Sequence, residues 1–342
     1  MSNRENAPKN QAANPGSAIG LDIGTSRIVT ARRANDQYQF ATQLNAFLSL
    51  PYSKLTESVL RKENIPHKVE GAEMIVYGNE SAKFANLFNM ETRRPMMRGI
   101  LNPNEPNSLG MIRQIVETLI PQEQRKGGRL CFSLPGAPLG AEDDLTYHEA
   151  TLRQILTEMG FEVTSINEGL AVVLAELEAG NYTGIGLSCG GGMCNVCLAY
   201  LSMPIFSFSV TKAGDFIDAS AASVVGERAT LIRAIKEESF HLNGTFNDKV
   251  QQALAVYYDD MIRAMLTGLK DTLSQSRNVP RLGRPVPMII SGGSAMPAGF
   301  RDRVEKFLNE TPLPIAISEV RMASDPLHST AKGALVAALA EV

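Results

Sequence analysis

Apolar and polar positions along this chain alternate in two rhythms, the two-residue period of strands and the longer period of helices. The strand rhythm appears first. Ile19 and Leu21, the polar stretch Asp22-Ile23-Gly24-Thr25-Ser26, and Ile28-Val29 together predict strand, tight turn, strand over Ser17 to Thr30. Gly24 supplies the permissive backbone such a turn needs. Further strands are predicted at Asn45 to Pro51, Met74 to Tyr77, Arg129 to Leu134 and Phe161 to Ile166. Helices are predicted between them, over 80–89, 107–119 and 148–159. In the second of these Leu109, Ile112, Ile115, Val116 and Leu119 fall near one face, and Gly160 fits the stop of the third. Asn167-Glu168-Gly169 then leads from strand into a helix over 170–178.

The pattern then starts again. Strands over 185–188 and 196–201 flank Gly190-Gly191-Gly192, repeating the arrangement around Asp22, and a strand over 206–210 continues the sheet. Ala213-Gly214-Asp215 opens a helix, and helices dominate 217–276 apart from a loop near 243–247. A strand over 287–291 runs into Gly292-Gly293-Ser294, and helices over 300–308 and 330–341 complete the pattern. Two strand–glycine turn–strand units, one per half, predict a duplicated α/β architecture. A chain of 342 residues is long for one core. The expected division is a disordered tail over 1–17, a first domain over 18–180 and a second over 181–342, with the closing helix at about 330–341 returning to the first.

Composition adds exclusions. The first 17 residues are polar and rich in Asn, Ala and Pro, without the apolar stretch of a secretory signal. No run of about 18 apolar residues occurs, so a cytoplasmic protein is expected. A net charge of −3 argues against broad nucleic-acid binding, and no nucleic-acid partner is expected. Cys189, Cys194 and Cys197 form a C-x4-C-x2-C run with no nearby His, which reads as buried core thiols or as a metal site. Counted along the chain, Cys189 shares parity with Cys197 and not with Cys194. Phe84, Leu87, Phe88 and Met90 form an apolar stripe, either packed on its own domain or available to a membrane.

Four short motifs could carry chemistry. Around Asp22, Gly24, Thr25 and Ser26, a glycine turn can aim backbone N–H groups and two hydroxyls at phosphate, with Asp22 holding Mg²⁺ through water; a plain hairpin turn is the other reading. Ser188 to Asn195 is either a glycine-rich ligand cradle or a flexible hairpin. Glu168 either orients a water or complements a helix N-terminus. Gly292-Gly293-Ser294 is either room for a flat ring or a sharp turn.

In this order the motifs resemble those of the actin, heat-shock-chaperone and sugar-kinase superfamily. Asp22 to Ser26 and Ser188 to Asn195 resemble its two phosphate loops. Asn167 to Ala171 resembles its Glu-Pro-x-Ala-Ala connecting segment, Ser291 to Ser294 its adenosine loop, and Ala331 to Ala334 its second connecting helix. Tyr77 to Ala82 and Arg94 to Ile100 resemble the actin branch's Val-Gly-Asp-Glu-Ala and Tyr-Pro-x-x-x-Gly-Ile stretches. In length and spacing the chain is most similar to the bacterial actins, the magnetosome and rod-shape actins among them.

The resemblance implies a two-domain actin-like fold, each half a ribonuclease-H-like mixed sheet with flanking helices. ATP or ADP with Mg²⁺ would lie in the cleft between the halves. It implies phosphate contacts from Asp22, Gly24, Thr25, Ser26, Ser188, Gly190, Gly191, Gly192 and Asn195, and nucleotide contacts from Gly214, Asp215, Lys236, Glu237, Gly292, Gly293 and Ser294. Glu168 would position the attacking water. The chain departs from the family at Ser188, where an aspartate is usual, and at Met193-Cys194-Asn195, where Thr-Thr-Asp is usual. These losses imply slow hydrolysis, by about a hundredfold if about 3 kcal/mol is lost. Two functions follow: a subunit assembling head to tail into filaments, or a non-polymerising adaptor or regulatory pseudo-ATPase with a protein or membrane partner. A small-molecule kinase would need a catalytic aspartate that is not evident.

Overall fold

The computed structural model describes residues 18–140, 145–276 and 282–340. The expected tail over 1–17 and the last residue of the expected closing helix lie outside the described residues. The first part of the chain forms β1 (Ile19–Ile23), β2 (Arg27–Ala34), β3 (Gln37–Leu44), β4 (Phe47–Pro51), α1 (Lys54–Lys62), β5 (His67–Glu70), β6 (Glu73–Tyr77), α2 (Asn79–Phe88), β7 (Met96–Met97), β8 (Ile100–Leu101), α3 (Ser108–Leu119), β9 (Arg129–Leu134), α4 (Leu145–Glu158), β10 (Glu162–Asn167) and α5 (Glu168–Glu176). The rest forms β11 (Gly184–Cys189), β12 (Cys194–Tyr200), β13 (Met203–Val210), α6 (Gly214–Val225), α7 (Ala229–Glu238), α8 (Lys249–Gln275), β14 (Val286–Ser291), α9 (Phe300–Glu310), β15 (Ile317–Met322) and α10 (Ser329–Ala340).

Duplication is visible in the sheets. One has the order β10-β9-β1-β2-β3 and the other β13-β12-β11-β14-β15. In each, three strands follow one another antiparallel and two later strands add in parallel beside the first. Each sheet buries its own apolar cluster, around Leu21, Ile115 and Phe132 in one and around Val196, Met265 and Ile290 in the other. This is the mixed α/β architecture in two similar halves that the repeated pattern predicts.

Several elements lay outside the predicted pattern. The edge strand β3 has no fully buried residue, β5 has Val69 as its one apolar residue, and β15 buries only Val320. Helix α1 buries only Leu60 and leaves Leu55 and Val59 exposed, so its apolar face is short. A small sheet, β4-β6-β5, closes over Leu48, Leu60 and Val76. Phe84 packs against that core, while Leu87, Phe88 and Met90 at the end of α2 remain exposed. The cysteine parity also differs from expectation. Cys189 and Cys194 are direct cross-strand partners and so share a face, with Cys197 on the other, because the turn between the strands resets the alternation. All four cysteines are buried and none is in a disulfide, and among the described residues no group of three or more His, Cys, Asp or Glu is arranged to hold a metal.

Two helices join the sheets. Helix α5 lies on β11 and β12, helix α10 lies on β1 and β9, and the two pack against each other. Their approach is close enough to involve backbone. A side-chain carbon on Gly333 would overlap the Ala171 carbonyl, one on Gly20 the Ala331 carbonyl, and one on Gly186 the Gly169 carbonyl. None of these neighbours is a flexible side chain that could turn aside. Gly333→Ala is therefore expected to lower stability by about 2 kcal/mol or more. Gly110→Ala, in open space on α3, is expected to raise it by about 0.5–1 kcal/mol. Urea midpoints of the two variants and the parent chain check both signs.

Candidate functional site

The turn after β1 and the turn after β11 face each other across a cavity of about 460 Å³, within the ~300–1,000 Å³ range of small-molecule sites. Of the residues expected to form the site, Asp22, Gly24, Thr25, Ser26, Glu168, Ser188, Gly190, Gly191 and Gly192 line one part of it. Gly214, Asp215, Lys236, Glu237, Gly292, Gly293 and Ser294 line another. Asn195 does not line it: it is buried behind Glu168, because alternation along β12 turns it toward the start of α5.

The glycines are needed for proximity. Side-chain carbons on Gly191 and Gly192 would overlap the Ser26 and Thr25 hydroxyls, and one on Gly214 would overlap the Ser294 hydroxyl. Gly292 has φ +97, a conformation that favours glycine, and its N–H donates to the Pro326 carbonyl at 2.9 Å. Ser294 Oγ donates to the Gly190 carbonyl at 2.7 Å, tying the loop after β14 to the glycine turn. The result is a cradle of backbone and hydroxyls that larger side chains would fill, which suits an anion.

Two carboxylates form its floor. Asp22 is held by Ser133, whose Oγ donates to Oδ1 at 2.7 Å. Glu168 Oε2 accepts from Ser188 Oγ at 3.0 Å and from Asn195 Nδ2 at 2.8 Å. Asn195 is fixed in turn by the Gly136 N–H, which donates to its Oδ1 at 2.7 Å. The N-cap of α5 is Asn167, whose side chain accepts from Gly169 and Leu170. Glu168 is thereby free of capping and turns into the cavity.

Burial pushes the Asp22 carboxyl up to about 6, against the lowering effect of Ser133. Burial, then the neighbouring Asp22 charge, pushes Glu168 up to about 8, although Ser188 and Asn195 favour its ionised form. Two buried hard-oxygen groups of like charge fit a divalent cation that completes its shell with phosphate and water, as Mg²⁺ does. Asp22 and Glu168 are the residues that would stand nearest it.

Sequence reasoning missed the arginines that pair with α6. Asp215 accepts from Arg94 Nη1 at 2.9 Å and from Arg233 Nη2 at 2.8 Å. Arg233 Nε also donates to Asp218 Oδ2 at 3.0 Å, and Lys236 Nζ lies 2.7 Å from Asp218 Oδ1. Lys236, expected at an adenosine, therefore has its ammonium engaged by Asp218. Arg233 was legible in principle, since it lies one helical turn before Lys236 on α7. Phe240 and Tyr258 also line the cavity and stack with ring centroids 5.6 Å apart.

An acid whose folded-state pKa exceeds its unfolded value keeps its proton longer when folded. Stability from Glu168 is therefore present near pH 4.5 and lost as pH rises toward about 8. Glu168→Gln keeps an acceptor without the charge. Its melting temperature should exceed that of the parent chain by several degrees at pH 8.5, at roughly 2–4 °C per kcal/mol, with a much smaller gap at pH 5. Thermal melts of both chains at the two pH values check this.

The architecture has known counterparts. The chain superposes on the MamK double helical filament subunit with a TM-score of 0.69 at 17% identity, covering 94% of this chain and 98% of that one. It superposes on MreB5 of Spiroplasma citri bound to AMPPNP with a TM-score of 0.65 at 13% identity, covering 92% and 94%. For the ethanolamine utilization protein EutJ from Carboxydothermus hydrogenoformans the TM-score is 0.56 at 16% identity, covering 93% and 88%. At such identities the likeness shows the two-domain actin-like fold. No curated protein sequence matches the chain. The Volactin family model, however, matches residues 17–338, almost the whole length over which the two halves and their joining helices are built, and the chain belongs to the Volactin family.

Proposed function

We infer that this protein binds ATP or ADP with Mg²⁺ between its two halves and assembles with itself into filaments, hydrolysing the nucleotide slowly. The observation that carries this reading is the pair of glycine turns facing each other over Asp22 and Glu168. The turns would hold phosphate through backbone N–H groups and the Thr25 and Ser26 hydroxyls. The apolar end near Phe240, Met296 and Pro297 would take the base, with Glu237 and the Gly292-Gly293-Ser294 loop beside it. Mg²⁺, when bound near Asp22, would neutralise charge on the phosphate oxygens. The fold is shared with MamK in a double helical filament and with MreB5 bound to AMPPNP, which supports both halves of the reading. The proposed domains are 18–180 and 181–342, with α10 returning to the first. Among the described residues no helix is long and apolar enough to cross a membrane.

Slow turnover follows from the floor of the cavity. Glu168 receives two neutral donors where a carboxylate is usual at position 188. In the empty cleft burial raises its pKa, which disfavours the ionised form that would accept a proton from water. The same feature favours a second reading, a non-polymerising adaptor or pseudo-ATPase. Two measurements separate the readings. Sedimentation and negative-stain microscopy with Mg-ATP, Mg-ADP and no nucleotide should give nucleotide-dependent filaments; bound nucleotide without polymer would favour the adaptor. Ser188→Asp should raise Mg-dependent phosphate release by about tenfold or more while lowering the apo melting temperature, since the new carboxylate would face Glu168. Unchanged release from a variant that binds nucleotide would place the slow step elsewhere.

A further inference from the structure

Arg94 and Asp215 are 121 residues apart, on opposite sides of the cleft, and make a forked ion pair. Arg94 Nη1 lies 2.9 Å from Oδ1 and 3.2 Å from Oδ2. The arginine is carried by the short hairpin of β7 and β8. Asn102 closes its base, its N–H donating to the Pro95 carbonyl at 2.9 Å and its Nδ2 to the Arg94 carbonyl at 3.1 Å. The preceding Arg93 roots the hairpin in the first half, with Nε and Nη2 on Glu105 at 2.8 and 2.7 Å and its guanidinium 4.7 Å from the Phe47 ring centre.

The tip of the hairpin reaches both phosphate turns. Gly99 N–H donates to Thr25 Oγ1 at 2.9 Å. A side-chain carbon on Gly192 would overlap Gly99 N, and one on Gly99 would press on the Met193 side chain. One small element thus touches the Thr25 turn and the glycine turn, and places a cation on α6 beside them. On the second half, the Asp215 N–H donates to the Gly191 carbonyl at 2.7 Å, so the carboxylate Arg94 grips is fixed to the glycine turn.

We propose that Arg94 is a cross-cleft positioning residue: through Asp215 it latches the β7–β8 hairpin of the first half to the glycine turn of the second, and so governs how readily the cleft opens to exchange its ligand. Arg94 does not line the cavity, so its effect is on the spacing of the turns and not on contact with a ligand. Arg233 and Asp218 continue the network into the second half and keep Asp215 oriented when the latch is open. The proposal rests on the nucleotide reading above for the nature of the ligand, and on the ion pair alone for the latch.

The test uses the full chain and its Arg94→Met and Arg94→Lys variants, loaded with Mg²⁺ and fluorescent N-methylanthraniloyl-ATP and chased with excess ATP. Both partners are about a quarter to a third exposed, so the expected effect is modest: release about three- to tenfold faster for Arg94→Met, with Arg94→Lys between it and the parent. Added salt should speed release from the parent but not from Arg94→Met. Hydrogen exchange of the apo proteins gives a second readout, in which peptides covering 94–101 and 188–193 should exchange faster in Arg94→Met. Unchanged release from variants that bind the probe overturns the latch. If no chain binds the probe, the nucleotide reading fails, and exchange in the apo proteins decides the latch: faster exchange upholds it and identical exchange overturns it.

Discussion

The close approach of α5 and α10 is the constraint on which the rest of the structure depends. Each helix lies on one sheet, and each is pressed against the other with no room for a β-carbon at Gly333. Gly20 and Gly186 do the same on the sheets beneath. Backbone-to-backbone contact fixes the two sheets relative to each other more tightly than side-chain packing would, since no rotamer can yield. The turns that follow β1 and β11 are thereby brought face to face. The packed interior at the joint and the cavity in front of it are one geometric solution.

That geometry makes an electrostatic difficulty. It buries Asp22 and Glu168 near one another, so desolvation raises the proton affinity of both and the Asp22 charge raises that of Glu168 further. The chain eases this in two ways. Ser188 and Asn195 give Glu168 neutral donors where a third acid is usual, and Ser133 does the same for Asp22. A hydroxyl in place of a carboxylate at position 188 thus eases the crowding of negative charge in the empty cleft. Both proposed functions, filament subunit and non-polymerising adaptor, are compatible with such a change.

Much of the fold was legible because its buried strands and helices carry strong periods. Ile19 and Leu21, the Val196 strand and the Met288-Ile289-Ile290 run are buried where the pattern places them. Strands β3, β5 and β15 were not, because edge strands bury too few side chains to impose alternation. The cavity lining was legible where it depends on glycine, since residues chosen for the absence of a side chain stand out in a sequence. Asn195 was misplaced and Arg94 and Arg233 were missed for a different reason. Their positions follow from strand alternation across a turn and from ion pairs between distant segments, and neither leaves a local signature.

The two kinds of contact across the cleft divide the labour between rigidity and motion. At the α5–α10 joint the halves meet chiefly through closely packed backbone, with Lys332 and Glu176 4.0 Å apart as a charge pair, which allows rotation about the contact but little separation. At the mouth they meet through the Arg94–Asp215 pair, a partly exposed polar contact that water can replace at small cost. A hinge that is tight and a mouth that is weakly held is the arrangement a ligand-driven closure requires. A ligand bridging the two turns adds contacts only in the closed state, and so shifts the balance by its differential affinity for that state. The polar mouth, more than the packed hinge, is therefore where changes in sequence can tune opening without unfolding either half.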